Sequence, residues 1–150
     1  MATTASLGPD VCNCLAARQA ARHITQFYDQ YLVSSGLRTT QFSILAKLRR
    51  LGPMTINRLA AEMVMDRTTL GRNILPLERD GLIAVEQGSI DRRSKELRVT
   101  KAGEARFRAG VKGWLQAQRQ FEKVFGAKRT ADMRALLHAV ASTDLSSAAV

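Results

Sequence analysis

The hydrophobic pattern of this chain changes period once, and that change limits what it can fold into. Through residues 11–80 and again through 101–142, apolar side chains recur at spacings of three and four. Only in LIAVEQ (82–87) and KELRVT (95–100) do they alternate with polar ones. A period near 3.6 marks an amphipathic helix and a period of two marks a half-buried strand. The two strand-like segments flank GSIDRRS (88–94), so the chain is expected to be mainly α with one small β-hairpin carrying a basic tip.

Capping residues divide the helical stretches. Leu15, Ala20, Ile24, Phe27, Tyr28 and Tyr31 trace a helix from Val11 to about Val33, ended by Ser34-Ser35-Gly36. Thr39 or Thr40 is placed to cap a second, bearing Phe42, Ile44, Leu45 and Leu48 and stopped by Gly52-Pro53. Thr55 opens a short third with Ile56, Leu59, Ala60 and Met63 on one face; a fourth runs from near Asp66 to about Asp80, with Gly81 as its stop. Beyond the hairpin, Thr100 starts a long helix with Phe107, Val111, Trp114, Phe121 and Phe125 along one stripe. After Gly126, Thr130 is expected to cap a last helix with Met133, Leu136, Leu137 and Val140.

Four helices, a hairpin and two helices make a winged helix-turn-helix enclosed by outer helices. The length, 150 residues, is that of one domain. Its expected parts are a flexible arm (1–10), outer helices (11–38 and 101–142), a winged lobe (39–100) and a tail (143–150). The outer helices carry the richest apolar stripes. One monomeric core could absorb them, but pairing with a second copy explains them more economically, because two-fold symmetry would set two reading heads on one duplex.

Charge narrows the partner. Lys and Arg number 23 against 13 Asp and Glu, a net +10, which favours nucleic acid, an anionic surface or an acidic protein. Residues 49–108 hold thirteen of the basic residues, eleven of them arginine, whose planar fork suits phosphates and base edges. Aromatic residues are only 5%, which disfavours the base-stacking modes of single-strand binding and leaves a duplex. No apolar run approaches the ~18 residues a membrane span requires, and MATTASLGPD lacks the basic and apolar regions of a secretory signal, so a cytoplasmic location is expected.

These residues resemble the MarR (multiple antibiotic resistance regulator) family of bacterial transcription factors over roughly residues 11–142. TINRLAAEM (55–63) is similar to the family's first helix of the helix-turn-helix. TTLGRNILPLERDGLI (68–83) resembles its recognition helix and exit, and DRRSKELRVT (91–100) matches its Asp-x-Arg wing. Two departures stand out. Gly71 occupies a position often held by Thr or Ser, and Pro76 lies inside the recognition helix, where it removes the bond to the Arg72 carbonyl and introduces a local kink. The resemblance implies a dimeric repressor bound to a pseudo-palindromic operator and released by a small phenolic or aromatic-acid effector. Arg67, Thr68, Thr69 and Arg72 would then meet the major groove. Arg93 would be the minor-groove arginine, Asp91 its positioning partner, and Arg92 and Lys95 would be cations of the same wing. The effector pocket would lie between the outer helices and the reading head, with His23, Phe27, Tyr28 and Phe42 as candidates by location, although an apolar helical stripe normally means packing and favours core for each.

Cys12-Asn13-Cys14 permits a redox switch at a helix start, where the dipole favours a thiolate, or two small half-buried cysteines near a subunit interface. A metal site lacks a third ligand at suitable local spacing, and no cofactor is expected. The HExxH, GxSxG, GxGxxG and Walker A patterns are missing, so an enzyme is not expected. The main rival is a basic nucleoid-associated or protein-interaction module without a ligand-controlled operator.

Overall fold

The structure, a computed structural model, describes residues 8–146. Most of the expected arm and the last residues of the tail lie outside that range; the end of the arm enters a 3-10 turn at Pro9–Val11. Six α-helices and three strands follow in the order α1 (Asn13–Leu32), α2 (Thr39–Leu51), β1 (Met54–Thr55), α3 (Ile56–Met63), α4 (Arg67–Arg79), β2 (Ile83–Gln87), β3 (Lys95–Val99), α5 (Lys101–Phe125) and α6 (Ala127–Ser142).

The helices start where short side chains can take up the first free backbone N–H groups. Cys12 caps α1, its Sγ accepting from the Leu15 N–H at 3.4 Å. Thr55 accepts from Arg58 and Thr100 from Gly103. The Thr100 hydroxyl also donates to the Gly81 carbonyl at 2.6 Å, tying the start of α5 to the exit of α4. Two expected caps are corrected. Thr39 is the first helical residue of α2, and its N–H and hydroxyl both donate to Asp29 Oδ1 of α1 at 2.7 Å. Thr130 lies inside α6, where its hydroxyl returns to the Gly126 carbonyl at 2.8 Å; the helix starts directly after Gly126, whose φ of +98° turns the chain.

The expected hairpin is the larger part of a three-stranded antiparallel sheet of order β1-β3-β2. Val85 faces Leu97 in β2–β3, and Met54 faces Leu97 from the other side in β1–β3. Two residues cannot show a period, so β1 was silent in the sequence.

One core lies beneath this sheet and between α2, α3 and α4, built on Leu45, Leu48, Met54, Leu59, Leu70, Leu77, Ile83 and Leu97. The long helix α5 closes it differently from the expected aromatic stripe. Its buried residues are Gly103, Gly110, Gly113 and Ala117, while Phe107, Val111 and Trp114 are half-buried flanks. Phe42 stacks on Phe107 with centroids 4.6 Å apart, directly over Gly110. Helix α6 leaves Leu136, Leu137 and Val140 exposed, and its only buried residue is Thr130. No helix among the described residues is long and apolar enough to cross a membrane.

Candidate nucleic-acid interface

Helices α3 and α4 are joined by Val64, Met65 and Asp66, a turn tight enough to require a left-handed residue. Val64 takes that role at φ +52°, an unusual conformation for a β-branched side chain. The Met65 N–H donates back to Ala60 at 2.9 Å, closing α3. Asp66 then caps α4: its Oδ1 accepts from the Thr69 N–H at 2.8 Å and its Oδ2 from the Thr69 hydroxyl at 2.6 Å. The hydroxyl bond, helped by the backbone N–H, holds the Asp66 carboxyl below the ordinary carboxylate range.

Helix α4 packs Leu70, Ile74 and Leu77 inward, at the spacing of a single helix face. The 100° turn per residue therefore sets Thr68, Arg72, Leu75 and Arg79 on the outward face, and Arg67 is exposed as the first residue of the helix. Of the four residues expected to face a groove, Thr68 and Arg72 occupy this stripe, Thr69 flanks it, and Arg67 is exposed at the N-terminal end of α4, in line with Ile74. Thr69 has its hydroxyl proton committed to Asp66. Asn73, not singled out from sequence, donates to the Thr69 carbonyl at 2.9 Å. Pro76 sits within α4, which runs unbroken from Arg67 to Arg79.

The loop between β2 and β3 is shaped by Asp91. Its Oδ1 accepts from the Arg93 N–H at 2.9 Å, and its carbonyl accepts from the Ser94 N–H and hydroxyl. Asp91 thus touches Arg93 through the backbone N–H, and Arg93 is exposed. Gly88 permits this closure, because a Cβ there would lie 2.4 Å from the Asp91 carbonyl oxygen. Ile90, at the tip beside Arg92 and Arg93, is 98% exposed.

Ion pairing sorts the arginines. Arg98 donates twice to Glu86 across the hairpin, at 2.6 and 3.1 Å, which raises its own pKa and lowers that of Glu86. Arg49 is held by Glu104 at 2.6 Å and lies over the Phe107 ring; Arg79 pairs with Asp80. Among the described residues, Arg67, Arg72, Arg92, Arg93 and Lys95 have no carboxylate within ion-pair distance, and all five are exposed. Sequence reasoning could not separate these two groups.

The remaining candidates are placed as follows. Phe42 is a core residue, 5% exposed and stacked with Phe107 and Trp114. Phe27 packs edge-on against Tyr28 and Phe121, and the Tyr28 hydroxyl donates to Gln118. Burial pushes the Tyr28 pKa up, with Arg134 opposing. His23 lies on the exposed side of α1, one turn before Phe27. A cleft of about 370 Å³ opens instead between α1, α2 and α4, lined by Thr25, Asp29, Arg38, Gln41, Arg72 and Asn73 among others. Cys12 and Cys14 are free and exposed in the single chain, where the first turns of α1 extend beyond the core.

A basic hairpin beside a capped, outward-facing helix on a three-helix core defines a winged helix-turn-helix protein. The chain belongs to the MarR family, whose family model matches residues 37–95. It is 34% identical to the HTH-type transcriptional regulator YwoH of Bacillus subtilis over 59% of this chain, and the match spans 64% of that protein's length. The DNA-bound crystal structure of the M. tuberculosis transcriptional regulator MosR is 37% identical, covering 86% of this chain and 96% of that one with a TM-score of 0.73. Bordetella bronchiseptica BpsR, whose DNA binding is regulated by 6-hydroxynicotinic acid, covers 96% and 100% with a TM-score of 0.78; at 21% identity this likeness shows the fold alone.

Proposed function

We propose that this chain is a cytoplasmic, dimeric, sequence-specific double-stranded DNA-binding transcriptional repressor. The observation that carries the reading is that Arg72 on the outward face of α4 and Arg92 and Arg93 at the wing tip have no carboxylate partner among the described residues, while Arg79 and Arg98 beside them pair with Asp80 and Glu86. Arg72 would read base edges in the major groove, with Arg67 and Thr68 on phosphates or base edges beside it. Thr69 would act mainly by holding Asp66. Arg93, with Arg92 and Lys95, would follow the minor groove, where an arginine reads width more than base identity. The DNA complex of MosR supports this reading.

The dimer reading is supported by α6. Leu136, 69% exposed, lies with Leu137 and Met133 along an apolar groove of about 400 Å³ shared with Phe125, a face suited to a second copy of this chain. Release would follow occupation of the cleft beside Arg72 by a small aromatic acid, or oxidation of Cys12 and Cys14. In the first case Arg72 supplies charge for a carboxylate, and Arg38 adds to it on leaving Asp29, which it meets at 3.8 Å.

Selection of genomic binding sites with purified protein tests the reading. A short inverted repeat with half-sites about one helical turn apart, roughly 34–36 Å, is the expected result. Recovery of sequence-independent fragments would instead favour a nucleoid-type protein.

A further inference from the structure

The outward face of α4 carries one residue that phosphate chemistry does not explain. Leu75 is 64% exposed on a helix whose other face is closed by Leu70, Ile74 and Leu77. It shares its stripe with Thr68, Arg72 and Arg79, about one turn beyond Arg72. Gly71, at i−4, sharpens the contrast, because a Cβ at that position would meet nothing within 4 Å. Helical side chains lean toward the N-terminus, so Leu75 reaches over the bare Gly71 position with no neighbour covering it from that side. The result is an apolar step on an otherwise polar and cationic surface.

The major groove offers one apolar group at its base edges, the 5-methyl of thymine. The geometry points to Leu75 as a specificity-determining residue that packs against a pyrimidine 5-methyl group next to the base pair met by Arg72. The three-residue rise from Arg72, about 4.5 Å, is comparable to a base-pair step of about 3.4 Å. Arg72 on the same stripe, exposed and without a carboxylate partner among the described residues, favours the groove of a polyanion over an apolar protein surface as the occupant. This inference rests on the DNA-binding reading above and adds to it a residue that the wing and the arginines do not supply.

The test replaces each thymine of the selected operator by deoxyuridine, which removes only the methyl group. The unaltered protein should lose about fourfold in affinity per half-site at one thymine position, the weight of one buried methyl. Leu75→Ala should bind the thymine and uracil duplexes alike, and Leu75→Met, which keeps an apolar side chain of similar volume, should retain discrimination. Indifference of the unaltered protein to uracil at every position overturns the inference and leaves the DNA-binding reading standing. The same holds if uracil sensitivity is unchanged in Leu75→Ala, or if Leu75→Ala loses self-association with discrimination intact. Failure to obtain any sequence-specific complex overturns both.

Discussion

Replacing glycine by alanine inside a helix should have opposite effects at two positions of this chain. In an open helix interior the change stabilises by about 0.8–1.0 kcal/mol, because glycine loses more backbone entropy on folding. Gly71 meets that condition, being inside α4 with open space where the Cβ would go. Gly113 is also inside a helix, but its Cβ would lie 2.1 Å from the Tyr31 carbonyl oxygen and 3.0 Å from the Tyr31 carbonyl carbon. Both atoms belong to the backbone of α1, so no rotamer relieves the clash, and an ordinary contact of 3.4 Å requires α1 and α5 to part by more than an ångström. Overpacking of this kind costs about 1–3 kcal/mol. Backbone against backbone belongs at the upper end, and after the helix gain a net loss of roughly 2 kcal/mol remains. Urea unfolding followed by circular dichroism measures both, at one protomer concentration because association shifts the midpoint. Gly71→Ala should raise the stability and Gly113→Ala lower it. Shifts of the same sign would refute the assignment of Gly113 to a close helix seam.

The Asp66 cap predicts a pH dependence. Because its carboxyl lies below the ordinary aspartate value of 3.8, its stabilisation is complete above that value and is lost as pH falls through the lower native one; Asp66→Asn should flatten the stability profile between about pH 5 and pH 2. Arg93→Ala should reduce the log–log salt slope of DNA binding by about one per site and weaken the preference for A·T-rich flanks, whereas Arg98→Ala, already paired with Glu86, should change the slope much less. Leu136→Glu should shift sedimentation at micromolar concentration toward the 16.5 kDa monomer without lowering the helix content. A Cys12→Ser/Cys14→Ser protein keeps a capping oxygen at the start of α1 and should lose peroxide sensitivity of DNA binding; full retained sensitivity would rule out thiol sensing.

Several features were legible along the chain because they depend on neighbours within one turn. Thr55, Asp66 and Thr100 each accept from an N–H three residues on, so each helix start is written in adjacent residues. The β2–β3 pairing follows from period two, which places Leu97 inside and Arg98 outside. The basic character of α4 and the wing could be read the same way. Other features depended on residues far apart in sequence. The strand β1 exists only because Met54 meets Leu97, and Thr39 is drawn into α2 by Asp29 ten residues earlier. In α5 the aromatic residues dominate the hydrophobic pattern, yet the glycines form the buried seam, because glycine carries no side chain for a hydropathy pattern to register. The arginines give the clearest case. In sequence they are alike; in space Arg49 meets Glu104 and Arg98 meets Glu86, while Arg72 and Arg93 face outward without a carboxylate. Local bonding and periodicity are set by residues a few positions apart, so sequence alone determined the six helices, the hairpin and the Thr55, Asp66 and Thr100 caps. Charge neutralisation and backbone approach are set by distances through space, and those only the tertiary structure decided.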